Sequence, residues 1–242
     1  MSRFSVQEDR LMLEGDLGFR ALLEDRFEEA LAVGGLASSA RAFLATAIRC
    51  VLAGLPAVAE QLARKAMMWS EEAISREERP ARYFPDATEA SRYRTLALAR
   101  WLADGAHDRE SLGLYADRQQ RYLSESGGAR DKASVRLSLP GFLDAERFET
   151  ALRLISESRL VRPTTKAAAE EAVLASALCR VGLGNVIEER ELAETADECI
   201  RAHIHRWLAG GHAFRVGEWS KILYWRAGQQ PASALEKIRT YL

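Results

Sequence analysis

The stretch from Asp86 to Glu125 constrains this chain most, because it reads as two amphipathic helices separated by a turn short enough to force an antiparallel pair. Pro85 and Asp86 open the first helix, and Glu89 stands at the capping-box spacing from Asp86. At about 100° per residue, Ala90, Tyr93, Ala97 and Trp101 fall on one face, with Leu98 at its edge. Asp104-Gly105 marks the stop, since glycine tolerates left-handed backbone, and Asp108 is placed to cap the next helix. On that helix Leu112, Tyr115, Ala116, Tyr122 and Leu123 share a face, while Glu110, Asp117, Arg118, Arg121 and Glu125 point elsewhere. Helices this short are marginal alone, so both apolar stripes require neighbours.

The rest of the chain repeats the theme. Abundant Ala, Leu, Arg and Glu, with few β-branched runs, favour helix throughout, and no segment reads as a strand. Ser5 with Glu8 gives a further capping-box start, and a helix through Phe19, Leu22, Leu23, Phe27, Ala30 and Leu31 is expected to stop at Gly34-Gly35. The next pair is expected at about 38 to 53 and 56 to 76, with Phe43, Ala47, Val51, Val58, Leu62, Met68 and Trp69 in its core. Tyr83 and Phe84 lie in a proline-flanked loop, where they either tuck inward or face a partner. Gly127-Gly128 offers a hinge or a turn near 126–130. A helix from Asp131 is expected to stop near Pro140-Gly141, and another from Leu143 to Ser158 carries Phe148, Ala151, Leu152 and Ile155 on one face.

Phe142, Phe148, Ala151, Ile155, Ser158 and Pro163 are spaced by six, three, four, three and five residues, a pattern that resembles one tetratricopeptide repeat. It departs from that family at Leu139, where a small residue is preferred. A second echo, Arg100 to Gly105 against Arg206 to Gly211, recurs at an offset of 106 residues, close to three units of such a repeat. The expected architecture is therefore all-α: antiparallel helical hairpins stacked as a short, irregular tetratricopeptide-like solenoid, in a single domain over residues 1–242.

Charge and chemistry narrow the function. With 34 basic and 35 acidic residues there is no global field to draw in nucleic acid or an anionic membrane. Charges within the first residues interrupt any signal-peptide core, and Gly54-Leu55-Pro56 breaks the most apolar stretch, so a cytoplasmic, non-membrane protein is expected. Cys50, Cys179 and Cys199 read as reduced core thiols. Cys199 and His203 have helical i,i+4 spacing, but no second cluster completes a metal site; His203 and His205 face apart. No nucleophile elbow or phosphate loop is present, and the chain is expected to be no enzyme and to need no cofactor.

A binding protein remains. Glu188, Glu191 and Glu194 lie in the most acidic helix, ordered as the helix dipole favours and also suited to a basic partner. Tyr224 and Trp225 point away from the stripe of Trp219, Ile222 and Leu223, and so pack on another layer or enter an interface. Together with Tyr83 and Phe84 these are the candidate partner-binding residues. In general character the chain resembles the immunity proteins of bacterial contact-dependent and type VI toxins, several of which look like degenerate tetratricopeptide solenoids. That resemblance implies a cognate toxin domain as partner, neutralised by occlusion of its active site or substrate surface. The other reading is an adaptor or regulator holding a peptide or helix in a concave groove.

Overall fold

The structure is a computed structural model. It describes residues 27–75, 85–125, 132–160 and 213–225, with individual positions between 172 and 179, 201 and 208, and 235 and 240. Among the described residues all regular structure is helical: α1 (Phe27–Leu52), α2 (Pro56–Ser75), α3 (Pro85–Asp104), α4 (Arg109–Glu125), α5 (Lys132–Asp144), α6 (Phe148–Glu157) and α7 (Ala213–Trp225). None of these is long and apolar enough to cross a membrane. The chain divides into two compact units. The first holds α1, α2, the part of α3 from Thr95 onward, and α7; the second holds α3 up to Arg94, α4, α5 and α6. The Gly127-Gly128 link lies outside the described residues.

In the first unit α1 runs straight through Gly34-Gly35, contrary to the expected stop. Each glycine costs about 1 kcal/mol relative to alanine, and the Ala- and Leu-rich turns on both sides offset that. The stop comes at Gly54, where φ is +80°. Gly54 N–H donates to the Val51 carbonyl at 2.9 Å and Leu55 N–H to Cys50 at 2.8 Å, the paired bonds of a Schellman cap. Pro56 then begins α2, where a missing N–H is harmless. The two helices pack antiparallel through Leu44, Ala47, Ile48, Leu62, Ala63 and Ala66, all buried, with Phe43 edge-on to Trp69 at 5.0 Å. Met68, expected in this core, is 59% exposed, because one residue of helical rotation carries it off the Leu62, Ala66, Trp69 and Ala73 face. Val58 is only half-buried. Both tryptophans of the internal echo, Trp101 and Trp207, are buried in this unit. Every described side chain of α7, from Ala213 to Ile222, is buried, and Gly217 lets α7 approach α1, since a Cβ there would stand 2.5 Å from Ile48 Cδ1.

The second unit corrects another expected boundary. α5 continues through Pro140-Gly141 to Asp144. The proline removes one helical N–H, yet the carbonyls beside it are occupied from outside: Arg94 Nη1 donates to the Leu137 carbonyl at 2.9 Å and Tyr115 Oη to that of Ser138 at 3.3 Å. Ser138 Oγ donates back to the Ser134 carbonyl at 2.8 Å and accepts from Gln119 Nε2 at 2.8 Å. The irregular turn is therefore held by neighbouring helices. Beyond Asp144, α5 is capped at Glu146, in left-handed backbone at φ 58°, with Glu146 N–H on Leu143 and Arg147 N–H on Phe142 at 3.2 and 2.9 Å. α6 closes the same way at Arg159, φ 54°, with Leu160 and Ile155 both buried beneath the cap. Phe142, Phe148, Ala151, Ile155 and Ser158, the described positions of the repeat-like pattern, are all buried, as is Leu139; Pro163 lies outside the described residues. On α6, Leu154 takes the core place expected of Leu152, which is half-buried.

Two glycines test this packing in opposite directions. At Gly141 an added Cβ would overlap the Tyr115 ring, whereas at Gly113 in α4 it would meet nothing within 4 Å. Gly141→Ala should lower the unfolding free energy by about 1–3 kcal/mol, the usual range for overpacking. Gly113→Ala should raise it by about 0.5–1 kcal/mol, through helix propensity alone. Urea unfolding followed by circular dichroism measures both, and equal effects of one sign would contradict the helix contact.

Candidate interaction surface

α3 and α4 are cross-braced by two reciprocal cation–π contacts. Arg118 of α4 lies over Tyr93 of α3, with the guanidinium carbon 5.3 Å from the ring centre, and Arg94 of α3 lies over Tyr115 of α4 at 5.5 Å. Each helix thus supplies one ring and one cation, a pairing that antiparallel register allows. Arg94 is also bonded to the Leu137 carbonyl. Asp117 is engaged by Arg147 at 3.0 Å, so the carboxylate nearest in sequence to Arg118 is turned to an ion pair with the start of α6.

What α4 leaves outward is a stripe at helical spacing. Leu114 (39% exposed), Arg118 and Arg121 follow at i, i+4 and i+7, with Tyr122 half-buried beside them. Arg121 is exposed and makes no ion pair among the described residues. Arg and Tyr are the side chains that carry interfaces, and a large apolar group held at the surface among them is the composition of a contact site.

In the first unit, Glu71 is engaged by a guanidinium. Arg100 bridges Glu71 at 2.7 Å and Asp108, and these partners hold the guanidinium pKa above its ordinary value, the Glu71 hydrogen bond first. Arg64 likewise joins Glu60 at 3.1 Å and Asp104 at 3.0 Å. Glu71 is therefore a structural cross-link between α2 and α3, and Asp108, the expected cap of α4, stands just ahead of that helix as the second acceptor.

α7 carries Arg215, Glu218 and Lys221 at successive i,i+3 positions, all at most 7% exposed and each engaged in interactions. The Arg215 guanidinium lies 5.7 Å from the Trp207 ring, and Arg41 caps Phe214 at 4.5 Å. The expected one-sided stripe of Trp219 and Ile222 is thus part of a helix covered all round.

The sequence-derived contact residues fare differently. Tyr83, Phe84, Glu188, Glu191 and Glu194 lie outside the described residues, as do the side chains of Tyr224 and Trp225 in the last turn of α7. Leu114 and Arg121 were legible only as positions off the apolar face of α4; nothing in the sequence shows that Arg118 is stacked or that Asp117 is engaged elsewhere. Among the described residues no group of His, Cys, Asp and Glu is placed to hold a metal ion. Cys50 and Cys179 are buried free thiols, and Cys199 lies outside the described residues. Compared with protein-family models, curated proteins and solved structures, the chain matches none.

Burial pushes the Cys50 thiol up from its ordinary 9.0 to about 12. Below about 9 the thiol is protonated folded or unfolded; above it the unfolded chain ionises first, so this contribution to stability is lost as pH climbs toward 12. Two outcomes follow. Alkylation at Cys50, read by peptide mass spectrometry at pH 8, should be at least about 100-fold slower in the native chain than in urea. Stability should fall less steeply above pH 9 in Cys50→Ala than in the parent.

Proposed function

We propose that this chain is a partner-binding protein that neutralises a cognate bacterial toxin domain by covering its active site or substrate surface. The observation that carries the reading is the outward face of α4, where Leu114, Arg121 and the ring-stacked Arg118 stand on a braced helix pair. Such a surface is pre-ordered, and occlusion needs a rigid, shaped face more than it needs reactive groups. The helices would stack as a short, irregular tetratricopeptide-like solenoid. Burial of Phe142, Phe148, Ala151, Ile155 and Ser158 supports that arrangement, as do the antiparallel α1–α2 and α3–α4 pairs. Glu188, Glu191, Glu194, Tyr224, Trp225, Tyr83 and Phe84 are proposed as further contact residues. The protein would act in the cytoplasm without a cofactor.

An adaptor holding a peptide or helix in a concave groove is the second reading; the same buried repeat-like positions favour it. A tagged chain drawn through lysate of its native cell separates the two. One stoichiometric partner whose activity is silenced by added chain supports the neutralising role; several partners left active support the adaptor, and no retained partner overturns both. Charge reversal of Glu188, Glu191 and Glu194 together should weaken capture of a basic partner by about tenfold or more while leaving the helical circular-dichroism signal unchanged.

A further inference from the structure

We draw no further inference here: the strongest candidate, the outward face of α4 around the exposed Leu114, belongs to the surface already described, and nothing in the structure shows what covers it.

Discussion

The second unit depends on the placement of one ring. Tyr115 is 2% exposed and meets four different groups: the Gly141 backbone, against which no side chain would fit; the Phe142 ring at 6.0 Å; the Ser138 carbonyl through its hydroxyl; and the Arg94 guanidinium on its face. Each contact uses a different property of tyrosine. The flat ring allows close helix approach, the π face attracts the cation, and the hydroxyl gives the carbonyl beside Pro140 a donor. A phenylalanine would pack as well but leave that carbonyl without this donor, and a leucine would lose both polar roles. The proline-bearing helix α5 is continuous because α4 presents this residue to it.

In the first unit the limiting quantity is the distance between helices. Ala40, Ala47, Ala59, Ala63, Ala66 and Ala73 line α1 and α2 where they meet, and Gly217 does the same for α7. Small residues bring backbones together and leave little apolar area per residue, so the helices need other ties. Arg64 and Arg100 provide them across α2 and α3. Exposed pairs of this kind contribute little individually, about 0–1 kcal/mol, but they fix which turn of one helix lies beside which turn of the next. The buried charges of α7 belong to a different regime, because ions out of water must be paired to be tolerated and a wrongly seated helix would strand them. They act against misregistered packing as much as for the native one.

Helix content and apolar faces were legible because they depend on period and propensity alone. Ala90, Ala97, Trp101, Leu112, Tyr115 and Leu123 are buried where their spacing put them, and Gly54 and Gly105 end helices in left-handed backbone as glycines after an apolar run should. The errors share a cause, which is that local signals were overruled by contacts distant in sequence. Gly34-Gly35 and Pro140-Gly141 are breakers that the helices run through, with Ala- and Leu-rich turns flanking the first and donors from α3 and α4 on the Leu137 and Ser138 carbonyls just before the second. The left-handed caps that follow α5 and α6 are Glu146 and Arg159, residues with no intrinsic preference for positive φ, so nothing in their type marks a cap. Met68 is exposed while Trp69 is buried, and a Met-Met-Trp run does not say which of its members faces inward. The candidate surface on α4 was the least legible part. An arginine on the polar side of a helix looks the same whether it waves in water or lies on a ring supplied by another helix.

That difference matters energetically for any partner. A free arginine loses up to about 2 kcal/mol of side-chain entropy when it is fixed, so an interface built on such groups starts from a deficit. Arg118 has already lost part of that freedom to Tyr93, within the folding of the unit, and loses less on binding. Arg121 has not, and its contribution to affinity is correspondingly more sensitive to salt and to the partner's geometry. Asp117 is likewise committed within the unit, to Arg147 at the start of α6. The brace that holds α3 to α4 and the surface that α4 offers are therefore one arrangement, in which each Arg–Tyr contact fixes a helix on one side and a guanidinium on the other.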